Sequence, residues 1–239
     1  KRTEIVETIF GIRPKEKGEI ILNGKTVKNK NTKIIIIFSQ RHLKFNMNIR
    51  KKLVEAGKRL YNIGLVAGTS GNISMRNLEK KDSYFITPSS LPYNEIKEED
   101  IVEINSKGEP YIRGQKPSSE WQMHISVYEK YNKYNAIIHT HSTFATAFAV
   151  IGEKIPLILV EMKPFLGGDL DVAPYKPAGS RELGKVILPY LENRNSCLLA
   201  NHGTISCGTT LEEAFISAEY VEDASKIYYY AKTAGKPKI

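Results

Sequence analysis

Two of the chain's five histidines, His139 and His141, stand one residue apart in the stretch AIIHTHSTF. The apolar run before them predicts a β-strand, and residues i and i+2 of a strand point to the same face. Two imidazoles on one face form a metal-binding pair or are polar residues of a solvated face, and the pair alone leaves both interpretations open. The intervening Thr140 points to the opposite face and is not a ligand candidate.

A third histidine, His202, follows the apolar strand CLLA in the segment ANHGT. Three histidines at strand ends match a catalytic zinc site, in which three protein ligands leave one position for water or substrate. Neutral imidazole also suits nickel, copper and iron, so the ligand type narrows the metal without naming it.

Glu120 lies in the segment SSEWQMH, just before the strand that carries the histidine pair. One interpretation is a glutamate in the first turn of a helix, where the helix dipole favours an acid. The other is a general base beside a metal. Ser118 and Ser119 are likewise either helix caps or, with the free backbone N–H groups of a helix N-terminus, part of an anion site.

Two further loops are rich in glycine, hydroxyl and amide groups, GTSGN (68–72) and ITPSS (86–90). Such loops are ordinarily turns, but they also let the backbone approach a phosphate. Around them, short strand patterns alternate irregularly with amphipathic helix patterns, including a long terminal helix from about residue 211. Because a strict βαβ order is absent, we expect an α/β fold with three α/β/α layers and a central, mostly antiparallel sheet.

The net charge of +9 is concentrated at the N-terminus, where residues 1–46 hold 11 lysines and arginines against 4 glutamates. The rest of the chain is nearly neutral, so we expect no nucleic-acid partner. No run reaches the roughly 18 apolar residues of a membrane span, and no signal-peptide pattern is present. Cys197 and Cys207 lack a C-x-x-C spacing, which favours reduced thiols in a cytoplasmic protein without a membrane partner.

Residues 1–27 resemble the part of a sugar-importer ABC ATPase in which a helix leads into a P-x-x-G-E-I-x-x-x-G-K hairpin. No phosphate-binding loop accompanies it, so we expect no ATP binding. Residues 28–46 are rich in Lys, Asn, Ile and Phe, as translated A/T-rich spacer DNA would be. We interpret residues 1–46 as a non-functional fused remnant, with the working domain at 47–239. The alternative is a genuine extension that adds a helix and a hairpin.

Five motifs, G-T-S-G-N-I-S, I-T-P-S, P-S-S-E-W, H-T-H-S and N-H-G, occur in this order between residues 47 and 235. Together they resemble the class II aldolase and adducin family, and within it the L-fuculose-phosphate aldolase branch. The resemblance implies Zn²⁺ on His139, His141 and His202, with Glu120 as a further ligand and as the acid/base. It also implies a homotetramer and a sugar-phosphate substrate whose phosphate is held by the small polar residues of the loops. These residues are Gly71, Asn72, Ser89, Ser90, Ser118 and Ser119.

The implied reaction is cleavage of a ketose 1-phosphate, such as L-fuculose 1-phosphate, to dihydroxyacetone phosphate and an aldehyde. The alternatives are a pentulose-phosphate 4-epimerase, a thiosugar-phosphate dehydratase, or a non-catalytic adducin-like interaction module. The epimerase branch has aspartate in the position of Glu120, which favours the aldolase. Two features depart from the branch: Ser90 replaces a glycine, and no tyrosine follows Ile155-Pro156 to protonate the leaving aldehyde.

The remnant interpretation predicts that deletion of residues 1–46 leaves aldolase activity and melting temperature unchanged. Steady-state kinetics and thermal melts of the full and shortened chains test it. A loss of either property in the shortened chain would favour a genuine extension.

Overall fold

The computed structural model describes residues 13–14, 20–22, 25–27 and 32–237, with side chains from residue 45. A small sheet comprises β1 (Arg13–Pro14), β2 (Ile20–Leu22) and β3 (Lys25–Val27). The antiparallel pairing of β2 with β3 forms the hairpin expected from the P-x-x-G-E-I motif. The helix expected before that hairpin lies outside the described residues.

A seven-stranded sheet is the framework of the main domain, and its central strand carries the histidine pair. Its order, β6-β5-β4-β7-β10-β9-β8, puts β7 in the middle. All neighbours pair antiparallel except β8 and β9. The strands are β4 (Asn72–Arg76), β5 (Tyr84–Ile86), β6 (Val102–Ile104), β7 (Ala136–Thr140), β8 (Val172–Ala173), β9 (Ser196–Leu199) and β10 (Gly203–Gly208).

Six α-helices are described, with short 3₁₀ turns at Glu98–Asp100 and Leu188–Leu191. The pattern of the stretch SRELGKVILPYLEN predicts a single helix. The structure divides it into a short α-helix and a 3₁₀ turn, because Pro189 lacks the N–H that would continue the helix. Within the described part of the chain, no helix is long and apolar enough to cross a membrane. The helices are α1 (Thr32–Asn62), α2 (Trp121–Lys130), α3 (Thr143–Ile151), α4 (Met162–Leu166), α5 (Arg181–Val186) and α6 (Leu211–Ala234).

Helices cover both faces of the sheet, as the alternation of side chains along β7 shows. Ile137 packs with Met123 of α2 in one apolar cluster. Ile138 points the other way and packs with Leu53 of α1 and Phe215 of α6. The expected three-layer α/β/α fold with a mostly antiparallel sheet is therefore confirmed.

The apolar spacing of residues 49–63 predicts a helix from about Asn48, but helix α1 begins at Thr32 and runs without interruption across residues 46 and 47. Phe45 packs against the cluster that contains Leu53. Asn46 is buried, and its Oδ1 accepts a hydrogen bond from Nδ2 of Asn77 at 3.4 Å. The proposed domain boundary thus lies inside one helix, and the separate status of residues 1–46 stays a prediction.

The tight β9–β10 hairpin brings His202 beside the end of β7. Thr204 pairs with Thr140 in the β7–β10 ladder, and their buried hydroxyls are hydrogen-bonded at 2.9 Å. Gly203 lies so close to β7 that a β-carbon on it would come within 2.3 Å of the Thr140 carbonyl oxygen and 2.9 Å of Cδ2 of His141. A side chain at residue 203 is therefore incompatible with this strand spacing.

We expect Gly203→Ala to lower the free energy of unfolding by about 1–3 kcal/mol, because the added methyl group must push β10 away from β7. Thermal and denaturant unfolding measure the loss. Gly235→Ala is the matched control, since a β-carbon there has no neighbour within 4 Å. Equal stability of the two variants would contradict the close approach.

Candidate metal centre

Four side chains that are far apart in the sequence converge at one end of the central strands. They are Glu120, His139, His141 and His202, and each offers one ligand atom within 4.8 Å of all the others. The structure therefore brings together the complete set of metal-ligand candidates predicted from the sequence.

His139 is fully buried at the penultimate position of β7. Its Nδ1–H donates to the backbone carbonyl of Thr204 at 2.7 Å, which leaves the lone pair of Nε2 directed at the cluster. His141 lies one residue beyond the strand, yet its Nε2 is 3.0 Å from Nε2 of His139. Thr140 points to the opposite face, as expected from strand alternation.

His202 owes its position to the turn between β9 and β10. Asn201 adopts a positive φ of 54°, and the N–H of His202 donates to the carbonyl of Leu199 at 3.0 Å, which closes the turn. Asparagine tolerates this left-handed conformation better than most residues. As a result, Nε2 of His202 stands 3.1 Å from Oε1 of Glu120.

Glu120 does not serve as the first-turn acid that was one of the two interpretations of the sequence. It occupies the N-cap position of α2, but its side chain makes no capping hydrogen bond, and Ser118 Oγ accepts the Glu120 N–H at 3.3 Å. The carboxylate instead points at the histidines, with Oε2 3.1 Å from Nε2 of His139. Proximity to the imidazoles, rather than the helix dipole, accounts for its orientation.

The donor set fits a divalent metal ion. Ligands at about 2.0–2.2 Å from such an ion stand roughly 3–3.5 Å from one another, close to the separations in this cluster. Oε1 of Glu120 and Nδ1 of His202 are buried without a hydrogen-bond partner in the described structure. A buried carboxylate oxygen without a hydrogen-bond partner is stabilised by a cation.

The charge states of the cluster also suit metal binding. Burial raises the pKa of Glu120, but the nearby imidazoles of His139 and His202 outweigh burial and hold that pKa below its usual range. Burial, with the added repulsion of His139 and His202, lowers the pKa of His141 to about 4. At neutral pH the carboxylate is thus ionised and His141 is neutral, which are the forms that bind a metal.

The glycine-rich loop before β4 packs directly against the histidine strand. Gly71 has a φ of +75°, and a β-carbon on it would stand 2.6 Å from the carbonyl oxygen of His139. Asn72 is buried and pairs with His139 in the β4–β7 ladder. Its Nδ2 donates to Oε2 of Glu120 at 2.9 Å, so this amide contacts the acid of the cluster.

The two serine pairs predicted from the sequence come from loops that run side by side. The N–H of Ser89 donates to the Lys116 carbonyl at 3.1 Å, and the N–H of Ser118 donates to the Thr87 carbonyl at 3.0 Å. Ser118 is buried, whereas Ser90 and Ser119 are exposed. The pairing brings the backbone of residues 87–89 beside that of residues 116–118, just before Glu120 in the chain.

Two residues that support the site, Glu222 and His124, were not identified from the sequence. Glu222 of α6 accepts the N–H groups of Phe144 and Ala145 at 2.9 Å each, at the start of the helix that follows His141. His124 stands one helical turn after Glu120 and contacts Asn72. His124 lies four residues after Glu120, and residues with this spacing share one helix face. That spacing was the signal that could have identified His124.

Comparison with known proteins agrees with this geometry. The family model for the class II aldolase and adducin N-terminal domain matches residues 51–229. The 5-deoxy-D-ribulose 1-phosphate aldolase of Bacillus thuringiensis serovar kurstaki is 38% identical over 190 residues, 80% of this chain and 88% of that protein. The L-fuculose phosphate aldolase of Escherichia coli is 33% identical over 180 residues, 75% of this chain and 82% of that protein.

A solved structure described as L-fuculose 1-phosphate aldolase shares the fold, with a TM-score of 0.76 and 38% sequence identity over 80% of this chain and 90% of that chain. Fold, sequence and the family match thus agree over the part of the chain that contains the cluster. The chain belongs to the class II aldolase and adducin family.

Proposed function

We propose that this protein is a metal-dependent aldolase that cleaves a ketose 1-phosphate to dihydroxyacetone phosphate and an aldehyde. The observation that carries the proposal is the convergence of Glu120 with His139, His141 and His202. An adducin-like interaction module has no need of three imidazoles and an ionised carboxylate in one buried cluster. The relatives at 33–38% identity are aldolases by name, which supports the same reaction class.

His139, His141 and His202 would hold the metal, and Glu120 would complete the site until substrate takes its place. The bound metal supplies a fixed positive charge that polarises the substrate carbonyl. Three imidazoles with one carboxylate favour Zn²⁺, which we propose as the ion. The Thr204 carbonyl keeps the tautomer of His139 that presents Nε2 to the metal.

Cleavage breaks the bond between C3 and C4 of the ketose: the C4 hydroxyl loses its proton and becomes the aldehyde carbonyl. The electron pair of the broken bond passes to the dihydroxyacetone phosphate half, which is then protonated at C3. In the synthetic direction, a base must remove a proton from C3 of dihydroxyacetone phosphate. We assign that proton transfer to Glu120, the carboxylate in contact with the histidine nitrogens. Its lowered pKa keeps it in the basic form before substrate binds.

The phosphate of the substrate would bind the loops that flank Glu120. The pairing of the two serine loops supports a shared role, because it brings the hydroxyl-bearing residues of both loops together just before Glu120 in the chain. We assign this role to Ser89, Ser90, Ser118 and Ser119, with the backbone at Gly71. For Asn72 the side-chain amide already donates to Glu120, so its contribution to the phosphate would come through the backbone.

The substrate class follows from the names of two groups of relatives. One acts on 5-deoxyribulose 1-phosphate and the other on L-fuculose phosphate, and both are ketose phosphates of deoxy sugars. We propose a ketose 1-phosphate of the L-fuculose 1-phosphate type as substrate. We further propose a cytoplasmic homotetramer, on the basis of the resemblance to the L-fuculose-phosphate aldolase branch.

Residues 47–239 would carry this activity without residues 1–46. The family match begins at residue 51, and all four members of the cluster lie within it.

We expect His139→Ala to reduce bound metal from about one ion per chain to near none, since it removes the most buried of the three imidazoles. Metal analysis of purified protein measures the change, and dihydroxyacetone phosphate release should fall with it. Ile138→Val is the matched control: it alters the neighbouring buried residue on the opposite face of the strand and should keep the metal. Full metal content in His139→Ala would contradict the ligand assignment.

Incubation with L-fuculose 1-phosphate, 5-deoxy-D-ribulose 1-phosphate and D-ribulose 5-phosphate tests the reaction class. We expect dihydroxyacetone phosphate from at least one of the two ketose 1-phosphates, detected by coupled reduction, and its loss after treatment with a chelator. Conversion of D-ribulose 5-phosphate alone, without carbon–carbon cleavage, would replace the aldolase proposal with an epimerase.

A further inference from the structure

A chain of buried polar side chains extends from Glu120 away from the metal centre, between α2 and β4. Nδ2 of Asn72 is 2.9 Å from Oε2 of Glu120, and Oδ1 of Asn72 is 2.5 Å from Nε2 of His124. Nδ1 of His124 is 2.7 Å from Oγ of Ser74, which is 2.8 Å from the hydroxyl of Tyr128. All five side chains are buried. Of the five, Glu120 is a metal-ligand candidate and the other four are not.

The Glu120 carboxylate at one end determines the direction of every hydrogen bond in this chain. An ionised carboxylate only accepts, so Asn72 must present its N–H to Glu120 and its carbonyl to His124. His124 must then carry its proton on Nε2, which leaves Nδ1 to accept from Ser74. Ser74 in turn accepts from the hydroxyl of Tyr128, because its own proton points at the imidazole.

His124 remains neutral in this arrangement. Burial, with the nearby His139 as a smaller cause, lowers the pKa of His124 to about 3, against a weaker opposite effect of Glu120. A neutral imidazole has one donor and one acceptor nitrogen, as the chain requires. The hydroxyl of Ser74 is compatible with the tautomer that carries the proton on Nε2, because it can donate to Nδ1.

The orientation of the Asn72 amide matters for the carboxylate beside it. If the amide were reversed, its carbonyl oxygen would face Oε2 of Glu120, and two buried oxygens would repel each other. In the observed orientation the amide N–H holds Oε2 in place through a charge-assisted hydrogen bond. Both neighbours hold this orientation, because the Glu120 carboxylate accepts the amide N–H and Nε2–H of His124 donates to the amide carbonyl.

We propose that His124 is a positioning residue that fixes the amide of Asn72 with its N–H toward Glu120, and thereby holds the carboxylate in place for metal binding and proton transfer. This role rests on the proposed function only for the proton transfer by Glu120, because Zn²⁺ binding can be measured without the reaction. Removal of a hydrogen-bond partner behind a metal site typically changes metal affinity or activity by about 10–100-fold.

The decisive test compares His124→Gln with His124→Leu. The amide nitrogen of glutamine stands about where Nε2 of histidine does and can still donate to Asn72, whereas leucine fills the space without a donor. For each protein, Zn²⁺ affinity is measured on metal-depleted chain by competition with a chelator, and kcat and KM are measured on the loaded enzyme. Thermal melts record the stability of all variants.

We expect His124→Leu to bind Zn²⁺ about 10–100-fold more weakly and to lose kcat by a similar factor, with KM little changed. His124→Gln should stay within a few-fold of the original protein in both properties. Val127→Ala serves as the control for stability alone, because Val127 is a buried apolar residue of the same helix. It should lower the melting temperature without weakening Zn²⁺ binding.

Equal losses in His124→Gln and His124→Leu would overturn the proposal, as would wild-type Zn²⁺ affinity in His124→Leu. A loss of affinity in Val127→Ala as large as that in His124→Leu would also overturn it, because general destabilisation would then explain the effect. If no protein cleaves a ketose 1-phosphate but the order of Zn²⁺ affinities holds, the proposed reaction fails and the positioning role stands.

Discussion

The pairing of β7 with its two neighbours is the constraint on which the rest of the site depends. It places His139 opposite Asn72 on one side and Ile205 on the other. A shift of one residue would turn His139 to the opposite face of the sheet, away from Glu120. The register is secured by apolar side chains on both faces of β7 and by the buried hydroxyl pair of Thr140 and Thr204.

A carboxylate surrounded by imidazoles is costly to bury, and the structure offsets that cost locally. Burial disfavours the charge on Glu120, whereas His139, His202 and the amide of Asn72 favour it. Nδ1 of His139 is satisfied by the Thr204 carbonyl. Oε1 of Glu120 and Nδ1 of His202 are among the five buried side-chain atoms without a hydrogen-bond partner in the described part of the chain, and both belong to the candidate metal centre.

Sequence patterns predicted the fold class and the four members of the cluster because each depends on local or strongly typed features. Apolar runs predict the strands, and the H-x-H pair gained its metal-site interpretation from His202 and from the order of the five motifs. Helix limits were less predictable: α1 extends further toward the N-terminus than expected, and Pro189 divides another helix. The supporting roles of His124 and Glu222 escaped the sequence because each acts on a residue distant along the chain.

The sequence by itself determined which chemical groups are available: three imidazoles, one acid, two hydroxyl-rich loops and the strands that carry or flank them. Only the tertiary structure decided that Glu120 turns from its helix toward the histidines, and that Asn72 donates to that acid. The physical reason is that these orientations are selected by partners on separate strands and helices. Local propensity specifies backbone conformation, whereas the direction of a buried polar side chain depends on the donors and acceptors that the fold places around it.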